Sequence, residues 1–487
     1  MQRAAPRAPR AQARASPPAR RARLRHSCVS RSVGARAASE AGAGGGCGDA
    51  DGGLASLFAW LGSCGGSVDA RLAVGVCDLG GVNVRGVLCT QPVAEGELLM
   101  RVPLGCVLLE GREGDERPPF AGAPFALRFA GRLLELRDEA RAAEGAGTLQ
   151  TLQNQTTWAA LLPSAGETPL SGAIMEAGPC RSGYAPAAGA LEEVRAMAAE
   201  AAAASQTHPD REDWAWALGM VLSRALRMKG KRMMIPAVDL LNHGGTQRNI
   251  QVGLAVPQWG AAADGAGDIV VVAGRDLTAG EQVLFSYGDT RSNDFFFRYF
   301  GFCIGGHQYE TFRLFADIGE ALEWHTSTFR VDGESAAGTD GRRRAAAAAA
   351  ASSVGQFGSG ELGQPHPRMP MATIDGSGEL EMVGGSYRLH KDTLGSDTDV
   401  TPLAPELCVR ADGRADARLL AAFEALGAVD AREALAVACD GAAAQLRGAA
   451  GRGRVGSDDL ERQFHEEKLR CLSDVARVCR IEAAVRH

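Results

Sequence analysis

Apolar positions change their period several times along the chain. Leu54–Leu61 is an apolar run that predicts a helix, and residues 73–109 then fall into short alternating segments. Val82, Val84, Val87 and Cys89 lie near period two, Glu95-Gly96 marks a turn, and Leu98–Val102 predicts another strand. From 120 to 226 the spacing is helical, clearest over Phe125–Ala142, Leu191–Ala204 and Trp214–Leu226, with Trp158–Leu162 ending at Pro163. Strand-like segments return at Met233–Val238, Ile250–Val256, Ile269–Ala273 and Gln282–Ser286. Strands, helices and strands again predict an α+β domain whose β-rich core is interrupted by a helical insert.

Beyond Leu314 the texture is helical, at Asp416–Leu426, Ala431–Leu446 and Leu460–Ala484, which predicts an all-α C-terminal domain. Gly333–Gly378 breaks it with three arginines, then Ala345–Ala351, then Gly, Ser and Pro. That composition predicts a disordered insertion, because a polyalanine helix offers no distinctive face to pack. The expected domains are therefore 1–46, a basic leader and Gly-rich linker; 54–312, with a helical insert over about 115–228; and 313–487, interrupted at 333–378.

Charge sharpens the first boundary. Residues 1–39 hold ten Arg, no Lys and no carboxylate, amid Ala, Ser and Pro. An organelle transit peptide has that composition, and no central apolar block suggests a secretory signal. A basic arm that binds nucleic acid is the other reading. Without those ten charges the formal net charge falls from −6 to −16, which argues against a nucleic-acid partner. No apolar run approaches the length of a membrane span. The closest two of the twelve cysteines, Cys471 and Cys479, are eight apart, so zinc-ligand spacing is missing and no metal is expected.

Three blocks carry candidate chemistry. Gly80-Gly81-Val82-Asn83-Val84-Arg85-Gly86 puts a Gly-rich turn before a strand, where bare backbone can approach a ligand, although a plain hairpin turn reads as well. Ile235–His243 delivers an Asn242-His243 pair; alone, that His reads more readily as a core residue. Ala279–Gly288 contains Ser286-Tyr287-Gly288 and leads to Phe300-Gly301-Phe302, which alone reads as a hairpin with aromatic core residues.

In order and together, these blocks resemble the SET methyltransferase family, in the branch with a long helical insert. That branch includes the plant ribulose bisphosphate carboxylase large-subunit lysine methyltransferase and the actin-histidine methyltransferases. The resemblance runs from about Leu54 to Leu314 and also takes in Trp158–Pro163, Trp216, Ser223-Arg224 and Asp239. It implies a β-rich core with a knot-like crossing and a helical C-terminal domain that binds a protein substrate. The implied cofactor is S-adenosylmethionine, and the implied chain is a monomer. By the same resemblance Gly80, Gly81, Val82, Asn83 and Val84 would line the methionine part of the cofactor. Arg224 would bind its carboxylate, Asn242 and His243 its amino and adenine groups, and Phe302 would pack on the adenine. Tyr287 would stand at the point of transfer and also touch the cofactor, with Arg224, Asp239 and Phe300 facing the substrate.

Lysine is the expected target, on a plastid protein such as the carboxylase large subunit or another stromal enzyme; a mitochondrial address fits the leader composition too. A histidine target, or a SET-derived assembly factor without catalysis, are the alternative readings. Two departures from the branch bear on this. Asn83 stands where a second glycine is usual, and Phe300 stands where the plant lysine enzymes have Tyr, which removes a hydroxyl from the target side.

Overall fold

The computed structural model describes residues 50–79, 82–110, 122–149, 154–164, 170–171, 174, 184–228, 231–255, 267–288, 291–353, 372–373, 379–383, 386–389, 405–451 and 459–486. The basic leader lies outside them. Helix and strand are mixed, as the periodicity predicts.

Helix α1 (Ala50–Ser63) leads into β1 (Ser67–Val68) and a hairpin of β2 (Leu72–Leu79) with β3 (Val82–Cys89), whose register sets Leu72 opposite Cys89 and Leu79 opposite Val82. After β4 (Leu98–Val102) and β5 (Leu108–Leu109) comes the helical insert: α2 (Phe125–Gly145), α3 (Gln155–Ala159), α4 (Ala185–Ala204) and α5 (Arg211–Arg224). Asp210 caps α5 by accepting from the Glu212 amide at 2.9 Å. Strands β6 (Leu226–Met228) and β7 (Lys231–Met234) form a hairpin, and β7 also pairs with β5. Next come β8 (Asn242–His243), β9 (Ile250–Ala255), β10 (Ile269–Ala273) and β11 (Leu284–Phe285). The largest sheet is centred on β10, whose five residues are all buried. Ile269 and Val271 face the main core, while Val270 and Val272 pack with Ala255 and Leu98 on the other side.

Past α6 (Asn293–Phe300) a second core gathers β12 (Thr311–Phe315), α7 (Ile318–Thr328), α8 (Ala336–Ala351), β16 (Leu407–Arg410), α9 (Ala417–Leu426), α10 (Ala431–Gly451) and α11 (Asp459–Arg486). Between them lie β13 (Ala372–Thr373), β14 (Glu379–Val383) and β15 (Ser386–Leu389).

Three expectations are corrected here. The C-terminal part is not all helical, because β12 and β16 pair antiparallel beneath its helices. Nor is it one separate unit: β14 runs parallel to β9, extending the large sheet of the first domain to β15. The predicted disordered insertion begins instead with a helix, α8. Ser335 caps it, Arg342 donates to the Leu426 carbonyl at 2.8 Å, and Ala346 and Ala350, four apart, are buried. Alanines do make a face when the neighbouring helix comes close enough to meet a methyl group. Residues 354–371 and 374–378 lie outside the described residues.

Candidate active site

The site is assembled by a pairing only two residues long. The extended run expected over Met233–Val238 stops at Met234. Pro236 follows, Ala237 takes a left-handed φ of 70°, and the Asp239 amide donates to the Ile235 carbonyl at 3.1 Å. A left-handed, fully buried alanine costs about 1–2 kcal/mol, so the surrounding packing must impose this turn. It delivers β8 alongside β11 in parallel, with Asn242 opposite Leu284 and His243 opposite Phe285. Buried Asn249 secures β11: its Oδ1 accepts from the Leu284 amide at 2.8 Å, and its Nδ2 donates to the Gln282 carbonyl at 2.8 Å.

Tyr287 follows β11 directly. Its amide donates to His243 Nδ1 at 3.0 Å, which leaves the neutral ring's proton on Nε2. Its hydroxyl donates to the Leu241 carbonyl at 2.8 Å. The Tyr287 ring stacks on Phe300, with centroids 4.4 Å apart and planes at 20°. Phe296 and Phe302 stack on each other and flank His243 at 4.8 and 6.0 Å. Phe296 and Phe300 are four apart, so they share one face of α6; the hairpin reading of this aromatic segment gives way to a helix.

Burial dominates the site's electrostatics. It pushes the His243 imidazole down to about 4, with His307 adding to the effect, and it pushes the Tyr287 phenol well up. Tyr287 is therefore a neutral hydroxyl at pH 7. Behind it lies a buried ionic group. Arg224 Nε is 3.8 Å from Asp239 Oδ2, and the same oxygen accepts from Trp158 Nε1 at 3.1 Å. Burial raises the Asp239 carboxyl and lowers the Arg224 guanidinium, and each opposes the other's shift.

At the hairpin side, Asn242 Nδ2 donates to the Arg85 carbonyl at 2.9 Å. A Cβ on Gly86 would lie 2.6 Å from that nitrogen and 2.5 Å from Gln282 Nε2. The expected ligand-lining residues Gly80 and Gly81 lie outside the described residues, as do the side chains of Val82 and Asn83; Val84 is partly buried on β3.

The fold thus brings Arg224, Asp239, Asn242, His243, Tyr287, Phe300 and Phe302 into one neighbourhood. The sequence reading missed Asn249, Gln282, Phe296 and the bond from Trp158. Only Phe296 had a usable signal, its i,i+4 spacing to Phe300. The neighbourhood has unspent polar capacity: Arg224 Nε, Asp239 Oδ1, His243 Nε2 and Gln282 Nε2 are buried without a hydrogen-bond partner. Buried polar atoms left unpaired cost about 1–3 kcal/mol each, and these four are donors and acceptors that a polar group entering the neighbourhood would meet. Among the described residues no three His, Cys, Asp or Glu side chains are placed to hold a metal ion, and no helix is long and apolar enough to cross a membrane.

No protein-family model and no curated protein sequence matches this chain. Solved structures do. The SET domain of LSMT bound to lysine and AdoHcy matches 89% of this chain and 91% of its own at 13% identity, with a TM-score of 0.46. The same domain bound to methyllysine and AdoHcy gives 12% identity and a TM-score of 0.48 over the same shares. Rubisco LSMT bound to sinefungin and monomethyllysine gives 14% and 0.44, again over 89% and 91%. Likeness at this level leaves the chemistry of the site to be argued from its own residues.

Proposed function

We propose that this chain is a SET-type protein methyltransferase that moves a methyl group from S-adenosylmethionine to a lysine side chain. The observation that carries the reading is the meeting of Tyr287 with His243 and the Arg224–Asp239 pair inside an aromatic wall. The cofactor presents a carboxylate, an amino group, an aromatic base and a sulfonium. Arg224 Nε suits the carboxylate, and His243 Nε2 and Gln282 Nε2 offer donors to the base or the ribose. The aromatic faces of Phe296, Phe300 and Phe302 suit a base and a cation. The bound cofactor would supply an electrophilic methyl group.

The chain's own residues would then prepare the amine. A lysine with a reference pKa near 10.4 must lose its proton, which costs roughly 4–5 kcal/mol at pH 7. The buried setting around Phe300 and Tyr287 favours the neutral amine by desolvation. The Leu241 carbonyl and the Tyr287 oxygen, 2.8 Å apart, are two acceptors for the amine's N–H groups. Held by both, the lone pair has a fixed direction, and such alignment can remove several kcal/mol from a transfer barrier. A phenol held neutral by burial is no base, so Tyr287 orients and stabilises rather than removing the proton. Phe300 has no hydroxyl to offer, which leaves room for a larger or more methylated amine.

The knot-like crossing, substrate binding by the C-terminal helices, a plastid protein as target and a plastid address for residues 1–46 belong to the same proposal. They rest on the resemblance and on leader composition. The experiment is methyl-labelled S-adenosylmethionine with the protein from residue 53 onward and chloroplast extract, beside Tyr287→Phe. Label should appear on lysine, and Tyr287→Phe should lower kcat by about 10²–10³ with cofactor affinity kept. Label on histidine would redirect the target, and cofactor binding without transfer would remove the activity.

A further inference from the structure

The aromatic wall hangs from a helix that comes more than 150 residues later in the chain. Helix α6 lies between the two cores: Phe295, Phe296 and Phe300 pack into the first, and Phe297 packs into the second against Phe464 of α11, 4.6 Å between centroids. The loop that follows, from Gly301 to Glu310, has one end at Phe302 and the other at β12. Side chains of α11 hold it at one point after another. Gln463 donates to the Cys303 carbonyl at 3.4 Å, Glu467 accepts from the Gly306 amide at 2.9 Å, and Arg470 donates to the His307 carbonyl at 2.8 Å. Positions 463, 467 and 470 fall on one face of a helix.

Lys468 is the innermost of these. It is fully buried, and its three protons go to Asp294 at 2.5 Å, Glu310 at 2.5 Å and the Thr311 carbonyl at 2.7 Å, with the rings of Tyr184 and Phe464 within 5 Å. Burial works against its charge, but the two carboxylates more than offset this and hold the ammonium protonated. Asp294 sits in the first turn of α6, two residues before Phe296. Its neighbour Asn293 bonds the Ile304 backbone both ways, at 2.7 and 3.0 Å, and its amide donates to Glu310 at 3.2 Å. His307 closes the loop onto the wall, with its ring edge-on to Phe296 at 5.9 Å and its Nε2 2.5 Å from the Arg291 carbonyl. Without Lys468 the buried Glu310 and the partly exposed Asp294 would lose the cation that binds the first turn of α6 to the start of β12.

We propose that Lys468 is a positioning residue for the candidate site: through Asp294, Glu310 and the 301–310 loop, α11 sets where Phe296 and Phe302 stand against His243. The inference rests on the proposed methyltransferase site for its consequence, not for its geometry, and the test separates the two. Hydrogen exchange is followed on the full chain without cofactor, for Lys468→Met and for a milder pair, Glu467→Ala with Arg470→Ala, whose removal leaves no buried charge unpaired. Exchange should rise about tenfold or more over 301–310 and also over 241–244 and 285–288, while β9 and β10 keep wild-type protection. Affinity for S-adenosylhomocysteine, measured by calorimetry, should weaken about tenfold in the milder pair. A rise confined to 301–310, or unchanged affinity beside raised exchange, would overturn the proposal. Failure of the wild-type chain to bind S-adenosylhomocysteine would count against the methyltransferase reading alone, and the exchange pattern would then decide the positioning role.

Discussion

Gly86 stands where no side chain fits. A methyl group there would press on Asn242 Nδ2, Gln282 Nε2 and Cys77 Sγ, all within 3 Å. The neighbours that must yield are the amide that ties β8 to the hairpin and a buried donor facing the site. Gly86→Ala should therefore cost about 1–3 kcal/mol of stability, seen as a lower urea midpoint. It should weaken cofactor binding by more than the stability loss alone would. An equal urea midpoint would show that β3 and β8 can part freely. Residues of this kind mark the limit of what the sequence discloses. Asn242-His243 and Ser286-Tyr287 are legible because each dipeptide is contiguous and sits at the end of a recognisable apolar run. The bond from Trp158 to Asp239 spans 81 residues, and those from Lys468 span more than 150. Nothing in the local spacing of either residue hints at its partner. Lys468 reads as one more polar position on an amphipathic helix, and only the closed fold shows that its ammonium is fully buried.

At the scale of the element, long periodic segments are legible and short ones are not. Helices α2, α5, α9 and α10 lie close to where their spacing puts them, because a buried stripe repeats over several turns. Of the two-residue strands that assemble the site, β11 falls inside the strand expected over Gln282–Ser286, whereas β8 has no period of its own to read. The Ala345–Ala351 run is illegible for a related reason: a helix of identical residues has no stripe until a partner chooses one. In α8 the partner chooses Ala346 and Ala350, whereas Ala345 and Ala348 stay exposed. Ala350→Leu should then overpack the joint with α9 and lower stability by about 1–3 kcal/mol. Ala348→Leu should change it by less than about 0.5 kcal/mol. Thermal denaturation of the two variants compares them directly, and equal effects would deny α8 a buried face.

For the whole molecule the common theme is burial of histidine. Burial pushes His243 and His325 down to about 4, and it lowers His307 and His465 as well. The folded chain therefore binds fewer protons than the unfolded one between about pH 6.5 and 4. Stability is full above that window and falls as pH drops through it. His243 alone accounts for about 2 kcal/mol between pH 7 and pH 5. His325, with both ring nitrogens unpartnered against Phe423 and Phe329, adds to the slope. Urea midpoints at pH 7 and pH 5 should differ markedly, and His325→Phe should narrow the difference; parallel midpoints for the two proteins would refute its share.

Helix α11 also gives the molecule an order in time. A ribosome finishes Tyr287 and Phe302 well before it begins residue 459, and at about 5–20 residues per second the gap is on the order of ten to thirty seconds. Through that interval the nascent chain carries every residue of the candidate site while the helix that steadies the wall has yet to be made. Phe297 and the carboxylates of Asp294 and Glu310 then have no partner from α11, so the unfinished protein exposes a greasy, acidic surface that other molecules in the cell must tolerate or shelter.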